Sequence, residues 1–557
     1  MKKPFFILAA TLFTLSALPQ SRSSIDSLVK KLMDTAQVTG LCLGIVQDNQ
    51  PAYVQAYGYK NKNAGTLNDT ATVFYAASFA KAVFAYTVLH FVDQGLLDLD
   101  RPLYTYLPKP IPEYDNYKDL AADERWKLLT ARICLDHTTG FPNYRWFNPR
   151  GNNKLEFFYT PGTHYGYSGE GLVLLQLVVE TITGKSLETL ARQYVFDPIG
   201  MPRTSYVWQP FFESDYAVGH LVEEDTIPKK KRTKPNAAGS METTIADFTR
   251  FVAAALQGEG LSPKSWEEMT SPQISIYSKV QFPSLDTAKD TADDRRIGLA
   301  YGLGWGLFTS QYGKVFFKEG HDDGWENLAI CIPSQHKAVV VMTNSSNGES
   351  IFKELFFDLT GITIPWEWES YTPYRPTVRV PVAILQKYAG DYTGKYNVTV
   401  RLSDGRLVAE SADAQLPPST LHATSNQKIF LKTMAIAVEF EPGAVKVQDE
   451  DTTYTLTRLK DTVLDPSRLD LFVGTYQANP DHGIVITRKR GTLYAQGTNP
   501  HDQFPRMELH AYSANAFYMK EANLKISFVL DGQGRPLKLV TFGSHSPLAE
   551  WSRVTPP

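Results

Sequence analysis

Residues 316–333 read FFKEGHDDGWENLAICIP. An apolar run enters, a charged segment with glycines at 320 and 324 follows, and a second apolar run leaves. That is the signature of a strand, a turn and a buried strand. The charged part, Lys318 to Trp325, carries Lys318, Glu319, His321, Asp322 and Asp323. Three readings compete: a metal site, a solvated charged turn, or the edge of an active site. A metal site would need two or three further ligands at suitable spacing, and the chain has no H-E-x-x-H or similar motif. Asp322 and Asp323 read as turn formers. Choosing between turn and active site requires the rest of the chain.

The chain has 557 residues, 43% of them apolar and 21% charged, the composition of a globular protein with sizeable cores. At ~150 residues per domain, about three or four domains are expected. A net charge of −3 gives no electrostatic case for nucleic acid or an acidic membrane surface. The basic run KKKR at 229–232 reads as a solvated loop. Cys42, Cys134 and Cys331 are the only cysteines, too few and too scattered for a disulfide framework or a cysteine-rich zinc site. Residues 1–20 begin with Lys2 and Lys3 and continue into an apolar run from Phe5 to Leu18. This pattern predicts a secretory signal peptide and a periplasmic or secreted product. No later run reaches ~18 apolar residues, so no membrane span is expected in the mature chain.

Helical patterns and short strands alternate over residues 25–364, a catalytic-sized domain. The proline- and aromatic-rich stretch 365–380 reads as a connector. Beyond it the texture becomes period-two runs broken by Asp-Gly and Arg-Gly pairs, which are hairpin signals. Leu385, Tyr388, Gly390 and Tyr392 recur as Leu469, Phe472, Gly474 and Tyr476, each set followed by a strand and a tight turn at DGRL or RGTL. The repeat predicts two homologous small antiparallel β-barrels, at 381–460 and 464–557.

The candidate nucleophile lies in AASFAKAVFAY, where Ser78 and Lys81 share a helix face three residues apart. S-x-x-K occurs with serines at 27, 78, 334, 350 and 425, but only Ser78 opens a long apolar helix. In PGTHYGYSGEGL, Pro161 and Gly162 make a turn ahead of Tyr167. Lys318 stands two residues before Gly320, whose missing side chain leaves room for a substrate backbone.

The order S-x-x-K, P-G-T-x-x-x-Y, K-x-G resembles the serine β-lactamase and penicillin-binding protein superfamily. The branch it resembles is that of class C β-lactamases, with their DD-peptidase, D-aminopeptidase and family VIII esterase relatives. LDHTTGFPNYRW, DPIGMPRTSYVW, AAGSMETTIADFTRF, YGLGWG and VVVMTNSSNG carry the same likeness. The resemblance implies a five-stranded antiparallel sheet flanked by helices with an all-helical region, an α/β (α+β) transpeptidase-like domain. The two barrels resemble the lipocalin-like ones of the D-aminopeptidases.

Carried over, Ser78 would be acylated, Lys81 would take its proton, and Tyr167 would act as base or proton shuttle. Lys318 would supply positive potential, and the backbone N–H groups of Ser78 and His321 would form the oxyanion hole. Glu319, Gly320, Gly169 and Tyr144 fall at positions that line the substrate cleft. The resemblance involves no metal and no cofactor. Two departures stand out. Gly169 replaces the asparagine that binds a substrate amide, and Glu319 replaces the hydroxyl that receives a substrate carboxylate. Both argue against efficient β-lactamase action. A second anion beside Glu319 costs about 4 kcal/mol at ~4 Å with an effective dielectric of ~20, and Lys318 next door would offset part of this, so a preference for substrates with an amine or neutral group at that end is expected. The charged turn is therefore read as an active-site edge.

The expected function is an exported serine hydrolase acting through an acyl-enzyme on D-amino-acid peptides, amides or esters. The alternatives are a catalytically weak sensor of penicillins or peptidoglycan fragments, and a true β-lactamase or DD-carboxypeptidase. The expected partners are small substrates of these kinds, without nucleic acid.

Overall fold

The computed structural model describes residues 21–554, except 222–224, 284, 286–292, 366–367, 370–376, 412–413, 415, 432–435, 450–451, 461, 480–481, 499–505, 520–523 and 543–546. The predicted signal peptide, 1–20, lies outside the described residues, as do 366–367 and 370–376 of the predicted connector. The chain divides into two compact units, Met1–Tyr374 and Arg375–Pro557. No helix among the described residues is long and apolar enough to cross a membrane.

The first unit is built on an antiparallel sheet. Its strands are β1 (Gly40–Gln47), β2 (Gln50–Asn61), β3 (Thr66–Leu67), β4 (Ile274–Ser275), β5 (Ala300–Tyr301), β6 (Gly306–Ser310), β7 (Gly313–Asp322), β8 (Trp325–Ile332) and β9 (Lys337–Thr343). They lie in the order β3-β2-β1-β9-β8-β7-β6-β5-β4. The sheet is wider than the implied five strands: six strands of five or more residues form its body and three two-residue strands extend its edges. The opening stretch forms the β7–β8 hairpin, with Asp322 opposite Trp325 and a two-residue turn at Asp323-Gly324.

Both faces of this sheet are covered, which explains its near-continuous apolar runs. Alternate residues go to different cores. Cys42, Phe316, Cys331, Val340 and Met342 pack with helices α2 (Phe79–Asp93), α3 (Gly169–Thr183) and α4 (Ile245–Gln257). Leu41, Leu43, Phe317, Ile330, Val339 and Val341 pack with α1 (Arg22–Ala36) and α5 (Phe352–Thr360). Period two then assigns Lys318 and Gly320 to the Phe316 face, toward α2. All three cysteines are buried thiols. Helix α2 is apolar on every side and nearly wholly buried, so a lysine in its first turn is removed from water.

The second unit holds two closed eight-stranded antiparallel barrels, spanning Gly390 to Arg458 and Gly474 to Arg553. The sequence repeat is the seam of each. The Tyr392 hydroxyl donates to the Tyr388 carbonyl at 2.8 Å, and that of Tyr476 to the Phe472 carbonyl at 3.0 Å. The first strand of each barrel pairs with the last, Tyr392 with Arg458 and Tyr476 with Arg553. Gly390 and Gly474 make room for these arginines. A Cβ there would lie 2.7 Å from Arg458 Nε and 3.3 Å from Arg553 Nε. The DGRL and RGTL turns have positive φ at both central residues, Asp404-Gly405 and Arg490-Gly491, as a tight two-residue hairpin requires.

Candidate active site

Ser78 sits at the N-terminus of α2, preceded by Ala77 at φ +46°. That left-handed conformation in a residue with a side chain is costly, and such strain is found where the surroundings fix a functional turn. Lys81, one turn into the helix, points its Nζ at Ser78 Oγ from 2.9 Å and donates to the Ala238 carbonyl at 2.6 Å. Tyr167 comes from the loop before α3, whose N-cap Ser168 accepts from the Gly171 N–H at 3.2 Å. That helix begins at Gly169, three residues before the apolar run from Leu172 would place it. The Tyr167 hydroxyl accepts from Lys318 Nζ at 3.2 Å and is hydrogen-bonded to Ser78. Its ring lies between the two ammonium positions, 4.9 Å from Lys81 Nζ and 5.0 Å from Lys318 Nζ. The structure thus brings Ser78, Lys81, Tyr167 and Lys318 together from three separate segments, the start of α2, the loop before α3 and strand β7.

Burial pushes the Lys81 ammonium well below the usual lysine range, with help from Lys318 and opposition from Glu319. Burial and a neighbouring cation can each supply a shift of this kind. Desolvation outranks the cation, because Lys318 is ion-paired with its neighbour Glu319. Burial, with Glu319, pushes the Tyr167 phenol well above its usual range, against the pull of its bond to Ser78. Near neutral pH the group able to accept a proton is therefore the Lys81 amine.

Gly320 does something other than expected. A Cβ there would lie 2.7 Å from the Ala76 carbonyl oxygen and 3.2 Å from the amide nitrogens of Ser78 and Phe79. The room reserved for a substrate backbone is filled by the nucleophile's own turn, and β7 is laid against it. This brings the Gly320–His321 backbone alongside the Ser78 amide. Gly169 is likewise crowded: a Cβ would meet the Tyr144 ring at 2.9 Å, so the tyrosine occupies the space an asparagine side chain would use. Asn143, next to it, lines the cleft and accepts the Gly169 N–H through its side-chain oxygen at 3.0 Å.

Glu319 lines the cleft yet is almost fully buried, and its charge is matched by Lys318. Its Oε2 has no hydrogen-bonding partner. The expected partial offset by Lys318 is a direct ion pair that leaves one carboxylate oxygen of Glu319 unpaired. The His321 imidazole also lines the cleft and contacts Glu326, with Glu349 3.8 Å away. Burial opposes its charge, but Glu326 and Glu349 hold its pKa up to about 10. The donor atoms of these three residues lie within 4.8 Å of one another, a spacing a divalent ion could use.

Two features escaped the sequence reading. His137, in LDHTTGFPNYRW, is buried under Tyr167 with ring centroids 4.1 Å apart. Its Nδ1 accepts from the Ser168 N–H at 3.1 Å, and burial, Lys318 and Lys81 keep the imidazole neutral. The KKKR run is only in part a solvated loop: Lys230 and Lys231 are exposed, but the other two side chains are not. Lys229 is buried against Glu242 at 2.6 Å, and Arg232 lies over the Tyr75 ring at 4.0 Å. The cleft these residues enclose has a volume of about 1220 Å³, room for a peptide-sized ligand.

A serine at a helix N-terminus, a neutral lysine on it and a tyrosine bridging to a second lysine define a class of site built for acyl transfer. The Beta-lactamase family matches residues 25–360, and the chain belongs to it, a family of serine hydrolases. Among curated proteins it is similar to unguisins hydrolase ungD of Aspergillus violaceofuscus, 23% identical over 444 residues covering 68% of this chain and 76% of that one. It is also similar to penicillin-binding protein 4 of Amycolatopsis lactamdurans, 24% identical over 367 residues covering 62% and 92%. Among solved structures, the octameric penicillin-binding protein homologue from Pyrococcus abyssi shares the fold, with a TM-score of 0.50, 18% identity, and coverage of 79% and 100%.

Proposed function

We propose that this chain is an exported serine hydrolase that acts through a Ser78 acyl-enzyme on D-amino-acid peptides, amides or esters. The observation that carries the reading is the 2.9 Å approach of a desolvated Lys81 amine to Ser78 Oγ. A lysine that titrates at ~10.4 must lose ~3 units, about 4 kcal/mol, to be a neutral base near pH 7, and full burial supplies shifts of that size. Ser78 Oγ bonds to the substrate carbonyl carbon as its proton passes to Lys81. The Ser78 and His321 N–H groups hold the oxyanion. Collapse breaks the bond to the leaving group, which takes the proton from Lys81 through the Tyr167 hydroxyl. Water then repeats the sequence, releasing the acid and restoring Ser78.

The open Oε2 of Glu319 supports a substrate that offers an N–H donor there, an amine or amide, in preference to a carboxylate. Export rests on the pattern of residues 1–20. The altered positions 169 and 319, which argue against efficient turnover of β-lactams, keep a second reading in play, a catalytically weak penicillin- or peptidoglycan-binding protein that acylates and turns over slowly. A fluorophosphonate probe and a fluorescent penicillin separate the two. A hydrolase labels with the first and turns over a chromogenic D-amino-acid ester. A slow binder labels with the second and releases it over hours. Labelling that persists in Ser78→Ala overturns both.

A further inference from the structure

The run PKKKRTKP, Pro228 to Pro235, borders the Ser78 cleft, and its cations divide between two roles. Lys229 and Lys231 are anchors. The first is 2.6 Å from Glu242 and lies over the Trp325 ring, and the second is 2.7 Å from Glu213. The backbone is fixed as well, with the Trp208 N–H donating to the Arg232 carbonyl at 2.7 Å. Lys230, Arg232 and Lys234 line the cleft.

The charge of this strap is not balanced among the described residues. Five cations, Lys229, Lys230, Lys231, Arg232 and Lys234, face three carboxylates: Glu242, Glu213, and Asp322 at 3.9 Å from Lys230. Arg232 lies over the Tyr75 ring at 4.0 Å with one guanidinium nitrogen 3.7 Å from Glu242, a carboxylate it shares with Lys229, so its planar fork is ordered before any ligand arrives. The aromatic wall of the same cleft is Tyr144 stacked on Trp146 at 4.4 Å with Phe147 beside them, and Trp146 is 62% exposed. An ordered guanidinium, two further cations and an uncovered aromatic face together suit a ligand arm carrying both a carboxylate and an apolar group.

We propose that residues 230–234 form a cationic subsite of the cleft that binds a carboxylate on the acyl arm of the substrate, while the Tyr144–Trp146 wall takes an apolar side chain. This rests on the hydrolase reading above and adds the substrate's charge to it. Lys318 is ion-paired with Glu319, so the anion-binding role in this cleft falls to the strap.

The test compares N-succinyl-D-phenylalanine p-nitroanilide with its succinamide analogue, which differs only in replacing the carboxylate by an amide. The carboxylate substrate should have about tenfold higher kcat/KM at low salt, falling toward parity at ~0.5 M salt as screening shortens. Arg232→Gln combined with Lys234→Gln should bring the ratio close to one. Lys234→Glu, at an exposed position where folding is not at stake, should lower it as well. Equal kcat/KM values in wild type, or a ratio that survives the double substitution, overturns the subsite. Calorimetry on Ser78→Ala with the same two ligands reads binding without turnover. If wild type cleaves neither compound, the hydrolase reading fails for this class, and the calorimetric ratio alone decides the subsite. Equal or absent binding of both ligands overturns it.

Discussion

The Ser78 pocket and the barrel seams are both buried and both rich in polar groups, but they treat them oppositely. In each seam a tyrosine hydroxyl finds a carbonyl four residues back, and the last-strand arginine donates to the chain beside the glycine, Arg458 to Ala389 and Arg553 to Val473 at 2.8 Å. Among the described residues, every buried side-chain polar atom without a hydrogen-bonding partner lies between residues 39 and 369. His137 Nε2 and Glu319 Oε2 are among them, beside the nucleophile. A buried polar atom left open costs about 1–3 kcal/mol. The seams use their polar groups for closure, whereas the pocket leaves His137 Nε2 and Glu319 Oε2 unpaired.

If that contrast is right, the largest effects come from removing the groups the pocket holds ready. Lys81→Ala and Tyr167→Phe should each lower kcat by ~10² or more, and the double variant should lose far less than the product, because the groups act as one unit. Losses that multiply would break the proton-transfer chain proposed here. The pH profile sharpens it. A base that must be neutral loses activity as pH falls through its depressed pKa. Glu319 works against the depression of Lys81, so Glu319→Gln should carry the acid limb to lower pH. Tyr167→Phe should keep an acid limb at reduced rate, since the titrating amine is still present. An upward shift in Glu319→Gln would assign the limb to another group.

The next effect is steric. Gly320→Ala places a methyl 2.7 Å from the Ala76 carbonyl oxygen, which is backbone and cannot swing aside. Overpacking of this kind costs about 1–3 kcal/mol and displaces the turn bearing Ser78. We expect a Tm lower by several degrees and slower fluorophosphonate labelling. A Tm equal to wild type would mean the strand has room to retreat.

What the sequence disclosed follows from chain distance. Ser78 and Lys81 are one helical turn apart, and β7 and β8 are joined by a two-residue turn, so spacing alone placed them. The paired repeats were legible because each seam's tyrosine, glycine and tyrosine lie within a few residues. The arginines that complete the seams come from the opposite end of each barrel and left no local trace. The same holds for part of the pocket. The adjacent Lys318 announces that the charge of Glu319 is offset, but nothing near His137 announces that Tyr167 will lie over it. The strap was misread for a related reason. Lys229 and Lys231 become anchors only because Glu242 and Glu213 are folded against them, and a run of like charges without known partners reads as solvated.

The smallest expected effect tests the other half of the contrast. Tyr392→Phe and Tyr476→Phe each remove one matched hydrogen bond while leaving the ring in place, and each should destabilise its barrel by about 1 kcal/mol. The Tyr476 site is the more deeply buried, 0% exposed against 2% for Tyr392, and the carbonyl it abandons is that of Phe472, itself in the barrel core. Its loss should therefore be the greater of the two. Because the seam joins first strand to last, hydrogen exchange should quicken at the paired positions, Tyr392 with Arg458 or Tyr476 with Arg553, before it quickens elsewhere in the barrel. The rate at which Ser78 is labelled should not change. Exchange that quickens uniformly over the barrel would mean the tyrosine contributes packing alone. A fall in Ser78 labelling would show that the seams, too, serve the chemistry.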